Sequence, residues 1–179
     1  QKKLLSETYK GFVRSGANLD SLGQAQLREL NREIALLQLT FSQNMLAETN
    51  AFQLFIDSEK DLAGLPQSLI DNAAEAATAA GQEGKWLFTL HNPSVMPFFQ
   101  YADNRDLRQK MYEGYTNRGN NNNNNDNKAV IAEILKLRQQ KAELFGFNNF
   151  AEYQLEDKMA KTPQAAYDLL MTIWNAALP

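Results

Sequence analysis

The stretch SLGQAQLRELNREIALLQLTFSQNMLAETN limits this chain more than any other. Leu27, Leu30, Ile34, Leu37, Phe41 and Met45 recur every three or four residues, which places them on one face of a helix. Ser21, with Gln24 three residues on, reads as a capping box. The spacing predicts a helix from Leu22 to about Glu48, roughly 40 Å long at 1.5 Å per residue. Such a stripe must be covered. It covers too few heptads for a dimeric coiled-coil seam, so it reads as a core-facing stripe. The fold built around it is expected to be mainly α.

The rest of the pattern agrees. AFQLFID (51–57) and KWLFTL (85–90) alternate and are rich in aromatic and branched residues, which predicts two short strands. They are expected to pair as an antiparallel two-stranded ribbon on a helical body. Between them, GLPQSLIDNAAEAATAAGQEG reads as a helix with Pro66 at its first position and Gly81 at its exit. Pro93 and Pro97 limit NPSVMPFFQYA to a short helical turn. DNRDLRQKMYEGYTNRG predicts a helix capped by Asp103, with Leu107, Met111 and Tyr115 facing inward. Arg105, Arg108, Lys110 and Arg118 read as a solvated face partnered by Asp106 and Glu113. DNKAVIAEILKLRQQKAELFGF predicts a helix capped by Asp126 and ended by Gly146. Its face is traced by Ile131, Ile134 or Leu135, Arg138 and Ala142, with Val130, Leu137, Leu144 and Phe145 beside it. Asn149 with Glu152, and Thr162 with Pro163, open two further helices.

Asn120 to Asn125 are six asparagines in a row. Asparagine tolerates left-handed backbone and competes for backbone hydrogen bonds, so residues 119–126 are expected to be a polar loop between two helices. As a surface variation it should be replaceable by a short Gly/Ser linker at little cost. Residues 1–179 are otherwise expected to form a single helical lobe. The chain opens on Gln1 in mid-pattern and ends on WNAALP, so a fragment of a larger protein is expected.

The residues exclude several chemistries. There is no cysteine and the net charge is −3, so thiolate chemistry is ruled out and a basic nucleic-acid surface is not expected. No apolar run reaches the roughly 18 residues of a membrane span, and the opening residues do not read as a signal peptide. The sole histidine, His91, cannot build HExxH, which needs two. No GxSxG, GxGxxG or Walker motif occurs. His91 reads as a capping or packing residue. No residue is singled out as catalytic, cofactor-binding or metal-ligating.

Several stretches in order carry a resemblance: KWLFTLHNPSVMPFFQYADNRDLRQKMYEGYTNRGN, then DNKAVIAEILKLRQQKAELFGFNNFAEYQLEDKMAKTP. With the upstream NAFQLFID and LAGLP, the chain resembles the peptidyl-dipeptidase (dipeptidyl carboxypeptidase) branch of the thimet-oligopeptidase-like zinc metallopeptidases. The resemblance implies a large helical clamshell with a deep channel and one zinc held by HExxH and a downstream glutamate. It also implies oligopeptide substrates that lose dipeptides from the C-terminus. HExxH lies C-terminal to the matched region in that family and is missing here. The chain is therefore expected to be a non-catalytic N-terminal-side part forming one channel wall, inactive alone, with the zinc ligands in a missing C-terminal catalytic region. The cytoplasm is the expected compartment, with the periplasm left open. The alternative from a different class is a stand-alone helical scaffold or protein-binding module without enzymatic activity. A third reading is a fragment that folds only in part and exposes former interface residues.

Overall fold

A computed structural model describes residues 1–178. In chain order the elements are α1 (Lys2–Arg14), α2 (Ser21–Ala51), β1 (Leu54–Ile56), a 3-10 turn (Glu59–Leu62), α3 (Gln67–Ala79), β2 (Trp86–Phe88), α4 (Asn92–Tyr101), α5 (Arg105–Thr116), α6 (Lys128–Leu144), α7 (Phe150–Leu155) and α8 (Pro163–Ala177). The fold is mainly α, as the periodicity requires, and the two short strands pair antiparallel with Phe55 opposite Leu87. The chain divides into two compact units. The first comprises Gln1–Leu39 and Ile131–Pro179, and the second Thr40–Val130.

The second unit holds the larger apolar core. Ile56 of β1, Leu69 and Ala73 of α3, Phe88 of β2, Val95 and Phe98 of α4, and Met111 of α5 are buried in one cluster. The Phe88 and Phe98 rings meet edge to face at 4.8 Å between centroids, a favoured aromatic geometry. Leu107 and Tyr115 pack against this cluster beside Met111, as their spacing requires. Gly114 lies inside α5, where glycine costs about 1 kcal/mol against alanine. A Cβ there would collide with the Phe52 ring, so the close approach explains the residue.

In the first unit Leu27 and Leu30 of α2 are buried, as are Ile134, Leu137 and Ala142 of α6 and Tyr153 of α7. Ile34 and Leu37 are half-buried, so the α2 stripe faces inward but is deepest near its start. Ile131 and Leu135 of α6 are exposed. The buried face of α6 therefore keeps the expected Ile134 and Ala142 and shifts toward Leu137, away from Ile131.

Several helix starts lie beside the expected ones. α2 is capped by Asp20, whose Oδ1 accepts from Gly23 N at 2.7 Å, and not by Ser21. Asn104, not Asp103, caps α5, accepting from Asp106 N and Leu107 N. Pro66 stands at the cap position of α3 rather than inside it. Asn149 caps α7 as expected, with Glu152 N donating to its Oδ1 and its own amide donating to Glu152 Oε1. Thr162 caps α8 through Ala165 N. α4 is a full helix of ten residues despite two prolines. Pro93 sits in the first turn, where its missing N–H has no partner to lose. Pro97 removes a single helix hydrogen bond, and complete burial of Val95 and Phe98 outweighs that loss.

Candidate functional site

The second unit contains an unexpected polar arrangement. No helix spans the residues between Thr116 and Lys128, yet the loop there is tightly bonded. Glu48 of α2 is buried. Its Oε2 accepts from Gly119 N at 3.2 Å and from the Asn121 amide, and its Oε1 accepts from the Asn123 amide. On the other side, Lys128 Nζ donates to Asn120 Oδ1 and Asn122 Oδ1, both at 3.0 Å, and to Asp126. Asn121 and Asn123 thus serve the Glu48 carboxylate, and Asn120 and Asn122 the Lys128 ammonium. Asparagine can do both, because its amide carries donors on nitrogen and an acceptor on oxygen. Asn122 also takes the left-handed backbone, at φ 52°.

Asn127 closes the loop and is almost wholly buried. Its N–H donates to Gly119 O at 2.7 Å, its amide donates to Phe41 O at 3.2 Å, and its Oδ1 accepts from Asn44 at 2.9 Å. Asp126 accepts from Lys128 N at 2.9 Å. Hydrogen bonds from Lys128 hold the Asp126 carboxyl below its usual range. The run is therefore a built loop, and the expectation of a freely exchangeable linker gives way to these bonds.

Two of the cations expected on a solvated face, Arg108 of α5 and Arg118 just after it, are engaged locally. Arg108 donates to Ala102 O and Asp103 O, the carbonyls that follow α4. Arg118 donates to Thr49 Oγ1 at 2.9 Å and stacks over the Tyr115 ring. Carbonyls, a hydroxyl and a ring face thus stand where Asp106 and Glu113 were expected as their partners.

In the first unit Arg14 of α1 lies over the Tyr153 ring, 4.0 Å from its centroid. It donates to Tyr153 O at 2.8 Å and pairs with Glu156 and Asp157. Phe145, Phe147 and Phe150 surround the same tyrosine ring. Burial pushes the Tyr153 hydroxyl up, and burial followed by the Arg14 charge pushes Lys141 down. An apolar cleft of about 270 Å³ opens beside Val13, Phe145, Phe147 and Tyr153, with Lys10 and Glu156 at its rim.

His91 stands at the cap position of α4, exposed. Its carbonyl accepts from Ser94 N and Val95 N, and its imidazole makes no cap bond. It thus serves the helix start through its backbone. Among the described residues no three His, Cys, Asp or Glu side chains are grouped to hold a metal ion. Both oxygens of Glu48 accept hydrogen bonds from the loop, which gives the carboxylate a structural role. Sequence reasoning missed Glu48, although one signal was present. It falls three residues after Met45, on the apolar stripe, where a carboxylate needs buried partners.

The comparisons speak to the same segment that carries these helices. A sequence profile described as Peptidase family M3 matches residues 98–179. Residues 98–179 are thus similar to peptidase family M3. Similarity extends over the remainder of the chain. Oligopeptidase A of Haemophilus influenzae is 37% identical across 100% of this chain and 27% of its own length. The organellar oligopeptidase A of Arabidopsis thaliana is 36% identical across 99% and 24%. The dipeptidyl carboxypeptidase of Escherichia coli is 35% identical across 98% and 26%. The chain thus spans about a quarter of the length of these relatives. Within the matched segment lie α5 to α8, the asparagine loop and Tyr153 with its three phenylalanine neighbours.

Proposed function

We propose that the chain is a non-catalytic helical part of a zinc-dependent M3 peptidyl-dipeptidase, an enzyme that removes dipeptides from the C-terminus of oligopeptides. The observation that carries this reading is similarity across the whole chain to M3-type peptidases of which it matches only a quarter. Its role in the whole enzyme is to form one wall of the substrate channel and exclude folded proteins by size. The zinc and its ligands belong to a C-terminal catalytic region outside these residues. The proposed compartment is the cytoplasm. Among the described residues no helix is long and apolar enough to cross a membrane.

Identity to the oligopeptidases A and to the dipeptidyl carboxypeptidase is nearly equal, so the mode of cleavage is set by experiment. The coding frame is read past Pro179 and its full product is incubated with a decapeptide, with products followed by mass spectrometry. An HExxH downstream and stepwise loss of C-terminal dipeptides are expected, and residues 1–179 alone should release nothing. Internal cleavage of the decapeptide would replace the peptidyl-dipeptidase with an oligopeptidase. A reading frame that stops without HExxH would sink the peptidase reading and favour the free-standing scaffold.

A further inference from the structure

Helix α8 is chemically unlike a surface helix. Gln164, Asp168, Thr172 and Asn175 are its polar side chains beyond the cap. At 100° per residue they fall within one stripe about 80° wide. The stripe is closed on itself: Gln164 Nε2 donates to Asp168 Oδ1 at 2.7 Å, and Thr172 Oγ1 to Asp168 O at 2.8 Å. The other side chains, among them Tyr167, Leu169, Leu170, Ile173 and Trp174, are apolar and cover about 240° of the circumference. A surface helix normally carries an apolar arc little over about 100° wide, and a helix apolar most of the way round is a buried one. Yet α8 has no buried residue, and those five side chains are 58–63% exposed.

Three covers are conceivable in chemistry, and two fit poorly. α8 has 15 residues, about 22 Å at 1.5 Å per residue, short of the roughly 30 Å of a bilayer core. A second copy pairing across a two-fold axis covers one face and leaves the opposite apolar face wet. An arc of this width needs contacts from several elements at once, as inside a multi-helix body. About three quarters of each relative lies beyond the matched region, and the M3 match runs on through α8.

We propose that α8 is the docking helix for the part of the M3 peptidase outside these residues, seated among that part's helices along its apolar arc with the Gln164–Asn175 stripe left at the surface. This rests on the reading of the chain as a portion of a longer peptidase.

The test is hydrogen–deuterium exchange of the α8 amides in the full gene product, together with Leu170→Glu in the arc and Asp168→Lys in the stripe. Covered α8 amides should exchange at least about 1,000-fold more slowly than free peptide, as core helices do. Leu170→Glu should lower that protection at least about tenfold, and Asp168→Lys should leave it nearly unchanged. If Leu170→Glu fails to fold, exchange in the wild-type protein still decides the matter. A longer protein in which α8 exchanges like free peptide would overturn the docking role while leaving the peptidase reading intact. So would protection that grows with protein concentration alongside a dimer in light scattering, since the cover would then be a second copy. A gene that encodes nothing after residue 179 would remove the reading itself.

Discussion

The asparagine loop and helix α8 exchange the places their sequences suggest. Six consecutive asparagines look like a loose joint, yet they hold a buried glutamate on one side and a lysine on the other. α8 looks like core and lies uncovered along its length. Burial depends on partners from elsewhere in the chain. Glu48 finds donors about seventy residues away, whereas the apolar arc of α8 meets little but α7 among the described residues. The lesson is that polarity predicts what a segment needs, and the fold decides whether the need is met.

The contrast is broken most forcefully by truncating one apolar side chain in each of two helices that carry proline in the first turn. Phe98→Ala in α4 should cost about 3–5 kcal/mol, the usual loss for a buried phenylalanine. Leu170→Ala in α8 should stay within about 0.5 kcal/mol in residues 1–179, because the site is exposed there. Urea denaturation of the two variants checks this, and equal losses would mean that α8 is buried after all.

Glu48→Ala should have the next largest effect, about 2–3 kcal/mol, since it strands Gly119 N–H and two amides without their acceptor. The accompanying sign is fast exchange at the Gly119 amide. Unchanged urea midpoint and exchange would show that the loop is held by something other than Glu48. Replacing Asn120 to Asn125 by Gly and Ser should cost about 1–2 kcal/mol, because the Glu48 and Lys128 bonds go while Gly119 N–H keeps its partner. A neutral result would restore the simple linker.

The smallest effect is a pH dependence. The folded value of Asp126 lies below its ordinary 3.8, so the folded state binds fewer protons than the unfolded state in acid. Its contribution is therefore complete above about pH 4 and is lost as pH falls through the folded value. Asp126→Asn should remove this part of the acid sensitivity. Loop exchange measured from pH 6 to pH 3 should converge for the two proteins at the acid end, and parallel curves would assign the sensitivity to another carboxylate.

Much of the molecule was legible in local patterns. The apolar spacings of α2 and α5, the ribbon at Leu54–Ile56 and Trp86–Phe88, and the caps at Asn149 and Thr162 all express interactions within a few residues. A cap side chain meets an N–H two or three positions away, and a stripe repeats with the helix turn. Short-range geometry of this kind leaves its mark in the chain. The helical length of α4 was misread because a proline rule cannot weigh the complete burial of Phe98 against one missing bond.

Other features depend on residues far apart. That Asn121 and Asn123 face a carboxylate and Asn120 and Asn122 an ammonium follows from where Glu48 and Lys128 lie, and no run of identical letters can encode it. Arg14 over Tyr153 and Asn44 on Asn127 are likewise pairings across long stretches of chain. The apolar arc of α8 was present in the letters. Its exposure was not, because exposure is a property of neighbours, and a sequence names a residue's chemistry without naming what stands against it.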